Sequence, residues 1–344
     1  VNKEKDDEVE EGEEDDEEEE EENKEEEDEV EEGAEDEEWK EEDDEKDEAV
    51  ETDEEDEEEE ADEDKEETEK EEEDKKEEDE DNDEALKERY RLGSLLGRGG
   101  FGSVFAATRL SDGAKVAIKR VPRNRVRHWG ELPDGTSAPL EVVLLAKVST
   151  GFPGVVQLLE WLELPKNIVM VLERPERCQD LRHFIQSRGF LPEEEARELF
   201  RQVLEAVRHC TSCGVLHRDI KPGNILVDLG TGQAKLIDFG CGTYLQDTAY
   251  THFAGTLSYS PPEWIQHQRY HGEAATVWSL GLLLCHLVMG KHPFRRGQEI
   301  IRGRILFPRW LSQECQDVIK RCLSMQPLDR PSLEELFRHP WVQG

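Results

Sequence analysis

The charge of this chain breaks sharply at one point. Residues 1–84 hold 60 Asp and Glu against 9 Lys, whereas 85–344 hold 27 acidic and 34 basic residues. The first segment has eight apolar residues and no Leu, Ile or Phe. So little apolar surface cannot offset the entropy of an ordered chain, so 1–84 is expected to be an acidic, disordered tail. The remaining 260 residues are rich in Leu, Val, Ile and Phe, enough for one large core or two lobes.

Several classes fall away on composition. The seven Cys are scattered, and Cys210–Cys213 is a lone C-x-x-C, so neither a disulfide framework nor a zinc site is expected. A reducing compartment, cytoplasmic or nuclear, fits this usage. The acidic N-terminal stretch is unlike a basic secretory leader. The apolar run 280–289 is interrupted by Gly281 and His286 and is shorter than a bilayer crossing, so no membrane partner is expected. The sign of the tail argues against direct nucleic-acid binding. It suits basic proteins, or the basic domain of the same chain, unless it is only a solvated extension. A monomer is the default state.

Strands are predicted over 90–97, 102–108, 115–121, 155–162 and 167–172, with a helix over 140–148 between them. Beyond Pro175 the pattern turns helical, at 179–188, 192–210, 261–267, 273–290, 312–323 and 332–338. Two short β-like stretches, 225–227 and 235–237, interrupt it. The expected fold class is α+β. A small β-rich lobe over about 90–173, with one helix, precedes a mainly helical lobe over about 176–341, in a domain spanning 85–341.

Four motifs carry chemistry. Gly97-Arg-Gly99-Gly-Phe101-Gly102 lies between two strands, not between a strand and a helix, which argues against a dinucleotide fold. Glycines there let backbone N–H groups approach phosphate oxygens, although an ordinary hairpin turn would also use them. Lys119, in Val116-Ala-Ile-Lys119, sits on an apolar strand and needs an anion. Glu141 is the candidate partner and Glu131 the rival. In His217-Arg218-Asp219-Ile-Lys221-Pro-Gly-Asn224, Asp219 can orient a hydroxyl or take its proton. Lys221 can stabilise charge on a phosphoryl group, and Asn224 offers an amide oxygen to a hard cation. Asp238-Phe239-Gly240 follows Asn224 by 14 residues and supplies a carboxylate suited to Mg2+, with Gly240 expected to take the sharp backbone change.

In this order, and with Ser260-Pro-Pro262-Glu263 beyond them, the motifs resemble those of the eukaryotic protein kinases over residues 90–341. The resemblance implies a two-lobed kinase fold that transfers the ATP γ-phosphate to Ser/Thr hydroxyls of protein substrates, with ATP and Mg2+. It implies that Gly97, Gly99 and Gly102 cover the phosphates and that Lys119 contacts them while pairing with Glu141. Asp219 would be the catalytic base, Lys221 the γ-phosphate contact, and Asn224 and Asp238 the Mg2+ ligands. Glu263 would lock the helical lobe by pairing with Arg330. Lys221, two residues past Asp219, resembles the serine/threonine branch. A scaffold or pseudokinase, acting through the tail, is the alternative.

Leu172-Glu-Arg-Pro175-Glu, Tyr259-Ser-Pro-Pro-Glu-Trp264, Arg269-Tyr-His-Gly272 and Val277-Trp-Ser-Leu280 are similar to the Pim family of serine/threonine kinases. Pro175 has no N–H, so adenine would rely on the Glu173 carbonyl and on the walls Leu96, Val104, Ala117 and Leu226. Thr276 stands where most kinases carry Asp; the Pim resemblance does not make this inactivating. The resemblance also implies activity without modification of Thr248, Tyr250, Thr251, Thr256 or Ser258, although Arg218 is placed to bind a phosphate there. Asp180 keeps the acidic character expected of a Pim-like substrate groove. His183, Pro222, Gly223, His286, Lys291 and Arg295 stand where further acids would be expected.

Overall fold

The computed structural model describes residues 84–100, 102–294 and 297–344. The expected disorder of the acidic segment and the place of Arg295 lie outside these residues.

The first lobe is built on a five-stranded antiparallel sheet. Its strands are β1 (Tyr90–Gly99), β2 (Gly102–Arg109), β3 (Lys115–Pro122), β6 (Leu158–Glu163) and β7 (Asn167–Glu173), in the order β1-β2-β3-β7-β6. Its register sorts the side chains. Val104 pairs with Lys119 and Ala106 with Ala117, while Lys119 pairs with Met170 and Ala117 with Leu172. Paired residues share a face and alternate residues keep it, so these six line one side. The opposite side carries Ala107, Val116, Ile118, Val169 and Val171, which form a closed buried cluster with Tyr90 and Leu86. Leu86 belongs to a short helix, α1 (Glu84–Arg89), that covers this outer face. The sequence pattern did not announce α1, because one buried leucine gives no period.

A small hairpin, β4 (Trp129–Glu131) with β5 (Ser137–Pro139), leads into α2 (Leu140–Val148). Five residues of α2 are buried, Val142 to Leu145 and Val148. The strand expected from 155 begins only at Leu158; Val155 makes an isolated bridge to Leu236. The helix expected from 179 is preceded by a strand, β8 (Cys178–Asp180), which pairs with β10 (Ile225–Asp228) beside β11 (Ala234–Leu236). Helix α3 (Leu181–Gln186) starts where the Asp180 carboxylate caps the His183 N–H at 3.0 Å. Two short strands, β9 (Val215–Leu216) and β12 (Thr243–Tyr244), also pair and were not anticipated.

The second lobe is helical. In α4 (Glu193–Ser212), which follows Pro192, three glutamates occupy the first turn, where the helix dipole favours anions. After a short helix α5 (Pro262–His267) comes α6 (Gly272–Met289), apolar nearly all round and therefore central. It matches the helix expected over 273–290, and by length and composition it would cross a membrane. Its Trp278, Leu280, Leu282, Leu283 and Leu284 are instead fully buried as the core of the lobe. It packs against α8 (Gln313–Cys322), which follows α7 (Gly297–Arg302) and buries Cys315, Val318, Ile319 and Cys322 on one face. The approach requires Gly281, where an added Cβ would lie 2.7 Å from the Cys322 Cβ. Helices α9 (Leu333–Arg338) and α10 (Pro340–Gln343) close the lobe.

Candidate active site

The sheet face holding Val104, Ala117 and Lys119 meets the loops of the helical lobe, and the motif residues converge there. Lys119 is 5% exposed. Its Nζ donates to Glu141 Oε1 at 2.6 Å and to Asp238 Oδ1 at 2.9 Å. Glu131, the rival partner, is exposed in β4. Burial by itself would lower the Lys119 pKa, but the two carboxylates outweigh it and hold the ammonium above the ordinary lysine value. Burial pushes the Glu141 carboxyl up, with Asp238 adding to the push and Lys119 opposing it. Asp238 is driven below the usual carboxylate range, because the Lys119 ammonium and the Gly240 N–H together outweigh its burial. The sharp backbone change expected at Gly240 falls on Asp238 itself, at φ 61°. Its neighbour Phe239 is fully buried, edge-on to the His217 ring at 4.8 Å.

The glycine turn joins β1 to β2 with Gly99 opposite Gly102. At Gly102, φ is 125° and an added Cβ would lie 2.0 Å from the Arg120 carbonyl oxygen, so no other residue fits. At Gly97 and Gly99 an added Cβ meets no protein atom within 4 Å. These two glycines keep open space in front of the backbone, as the phosphates of a nucleotide require.

Asp219, 7% exposed, is held from three sides. Its Oδ1 accepts the Thr256 N–H at 2.9 Å, and its Oδ2 accepts from Asn224 Nδ2 at 2.7 Å and lies 3.1 Å from Lys221 Nζ. Lys221 also donates to Thr256 Oγ1. His217 supports the loop. Its Nδ1 accepts the Asp219 N–H at 3.2 Å, so its Nε2 carries the proton that is donated to the Ile237 carbonyl at 2.9 Å. Burial lowers the His217 pKa and keeps the ring neutral. Asn224, held through its amide nitrogen, and Asp238 each offer a hard oxygen donor, a chemistry that suits Mg2+, which keeps much of its water and shares phosphate oxygens.

Val104 and Leu226 are half-buried, Leu96 is exposed, and Ala117 is 9% exposed on the shared sheet face. Glu173 closes that wall, but its carboxylate is spent elsewhere. It accepts the Gln157 N–H and the Lys235 ammonium, each at 2.9 Å. This cross-link between lobes was not foreseen, because it joins residues 62 apart in sequence.

Glu263 and Arg330 form a two-pronged pair at 2.8 and 2.7 Å, with both side chains buried. Thr276 turns its hydroxyl onto the Gly272 carbonyl of its own helix at 2.8 Å. The Arg218 guanidinium donates to the carbonyls of Cys241 and Gly242, at 2.6 and 3.2 Å, which uses two of its five N–H donors. Tyr250 is 6% exposed, with its hydroxyl bonded to the Tyr244 carbonyl, so it is not displayed for modification, whereas Thr248, Thr251 and Ser258 are exposed.

The protein kinase domain family matches residues 90–342. The serine/threonine-protein kinase pim-2 of Danio rerio is 46% identical over 267 residues, covering 75% of this chain and 86% of that protein. The serine/threonine-protein kinase prk-2 of Caenorhabditis elegans is 44% identical over 261 residues, covering 75% of this chain and 59% of that protein. The sperm motility kinase 2B of Mus musculus is 32% identical over 266 residues, covering 75% and 53%. These relatives give no support to the catalytically silent alternative. With the two-lobed fold and the converging motif residues, they place this chain in the protein kinase family, as a serine/threonine protein kinase of Pim type.

Proposed function

We propose that the chain phosphorylates Ser/Thr hydroxyls of proteins with ATP and Mg2+, using Asp219 as the base, without needing modification of its activation segment. The observation that carries this is the meeting of Asp219, Lys221, Asn224, Asp238 and Lys119 at one cleft between lobes. Leu96, Val104, Ala117 and Leu226 would enclose adenine, with Gly97, Gly99 and Gly102 over the phosphates. Lys119, kept charged by Glu141 and Asp238, would position the α- and β-phosphates. Asn224 and Asp238 would hold Mg2+, which when bound neutralises phosphate charge. Asp219 Oδ2 would accept the proton as the substrate oxygen bonds to the γ-phosphorus and the bond to the departing ADP oxygen breaks. Lys221 would balance charge on the transferred group. Positioning and fixed charge would supply most of the acceleration.

Independence from phosphorylation is read from Arg218, which holds the start of the activation segment through the Cys241 and Gly242 carbonyls without a phosphate. On charge the acidic segment is assigned to basic protein partners, on cysteine usage the chain is assigned to the cytoplasm or nucleus, and a monomer is the default state. The test is Asp238→Ala in a radiolabelled phosphate-transfer assay. Transfer should vanish while the melting curve keeps its cooperative shape; turnover in that variant would refute the assignment.

A further inference from the structure

Thr256 holds two groups of the site at once. Its N–H donates to Asp219 Oδ1 at 2.9 Å, and its Oγ1 accepts from Lys221. The aim of both groups therefore depends on where the backbone of 256–260 is kept. Within itself this segment makes only a tight turn, from the Tyr259 N–H to the Thr256 carbonyl at 2.9 Å and from the Ser260 N–H to the Leu257 carbonyl at 3.0 Å. Its rim faces solvent, with Leu257 73% exposed and Ser258 exposed beside it. Such a turn keeps its place only where its inner side is fastened. Among the described residues, 256–260 is hydrogen-bonded to the rest of the fold through Thr256, Ser258 and Tyr259 alone.

The last two of these go to histidines. His292 Nε2 donates to the Ser258 carbonyl at 2.9 Å. Its Nδ1 accepts the Phe294 N–H at 3.1 Å, so the proton sits on Nε2 and the neutral ring meets both demands. His286, in α6, has its Nδ1 2.7 Å from the Tyr259 hydroxyl. The Tyr259 ring lies parallel to His286 at 6.0 Å and edge-on to His292 at 5.2 Å. His292 meets Phe294 at 6.1 Å, and Phe294 stacks at 6.0 Å on Trp278, which is fully buried in the core helix. The two histidines thus join 256–260 to the rigid centre of the lobe. Burial lowers the His292 pKa, and burial with His292 pushes His286 down to about 4, so both rings stay uncharged at neutral pH.

We infer that His286 and His292 are positioning residues for phosphate transfer: through Tyr259 and Ser258 they hold Thr256, and through Thr256 they fix the aim of Asp219 and Lys221. The inference rests on the phosphotransfer reading and adds two residues from outside the motifs to it. Each tie is one hydrogen bond, which contributes about a fivefold factor. Loosening the segment misdirects the base and the lysine but leaves the nucleotide pocket intact, so the loss falls on kcat and not on ATP affinity.

The experiment uses the full chain with Mg2+ and ATP and follows transfer to histone, to casein and to the chain itself. His292→Phe keeps a ring and removes the donor, His292→Gln restores a donor, and Tyr259→Phe removes only the hydroxyl. At saturating ATP, kcat is expected to fall about fivefold in His292→Phe and in Tyr259→Phe and on the order of twenty-fivefold in the double variant. ATP affinity by calorimetry is expected to stay within about twofold of native, and His292→Gln to recover kcat to within about twofold. Native-like kcat in the double variant, a parallel loss of ATP affinity, or no recovery in His292→Gln overturns the inference and leaves the phosphotransfer reading standing. Where His292→Phe does not fold, Tyr259→Phe decides, and native kcat in it overturns the inference. Absence of transfer by the native chain to all three acceptors overturns the reading beneath it.

Discussion

Removing the Lys119 ammonium tests the electrostatics of the cleft most directly. In Lys119→Met the side chain keeps its length, and the pairs at 2.6 Å to Glu141 and 2.9 Å to Asp238 are lost. The Lys119 and Glu141 side chains are only 6% and 12% exposed, so the Glu141 charge is left buried and unpaired. Breaking such a pair costs about 3–5 kcal/mol. Asp238 is 37% exposed and solvent screens it, so no further cost is assigned to it. For a domain of this size each kcal/mol moves Tm by about 2–4 °C, which gives a loss of roughly 6–20 °C at pH 8. The deficit must depend on pH in a stated direction. Burial already raises Glu141 in the native protein, and losing Lys119 raises it further. A group with a raised folded pKa binds its proton more tightly when folded, so it favours the folded state at low pH and loses that contribution as pH rises. The gap between variant and native protein should therefore be large at pH 8 and shrink toward pH 5.5, by up to about 1.4 kcal/mol per pH unit within the window. Thermal denaturation followed by circular dichroism at both pH values measures it. A variant melting within 2 °C of the native protein at pH 8, or an equal deficit at both pH values, would refute the reasoning.

Glu263→Gln leaves the Arg330 guanidinium buried without its anion, so Tm should fall by roughly 6–20 °C, read by the same melt. Gly102→Ala places a Cβ against the Arg120 carbonyl at a positive φ, so nucleotide affinity should drop at least tenfold in calorimetry. Phosphatase treatment, or the double variant Thr248→Ala, Thr251→Ala, should change kcat/KM less than twofold, because Arg218 is bonded to protein carbonyls. A large loss in that assay would show that a phosphate is required after all.

The strands of the first lobe and the long helices were legible because their apolar periods are dictated by backbone geometry. Residues 102–108 and 312–323 read as a strand and a helix from pattern alone, and the elements form over 102–109 and 313–322. The short strands at 178–180, 215–216 and 243–244 were not legible. Two or three residues carry no period, and each exists only because a distant partner supplies its hydrogen bonds. The helix at 84–89 was hidden for a related reason, since its one buried leucine sits beside a run of charge. In the site, residue types and order pointed to Lys119, Asp219, Asn224 and Asp238. Glu141 was favoured over Glu131 as the partner of Lys119, and the pair forms. The tie from Glu173 to Lys235 and the carbonyl bonds of Arg218 were not readable, because each depends on which side chains the fold brings within about 3 Å.

Sequence alone determined that the charge of the chain changes sign near residue 84 and that the basic part carries the residue types of a phosphate-handling cleft, because local charge, glycine content and apolar period need no distant partner to be expressed. Tertiary structure alone decided which carboxylates are committed. An ion pair requires two groups to meet in a shared low-dielectric space, and only packing decides which of them do.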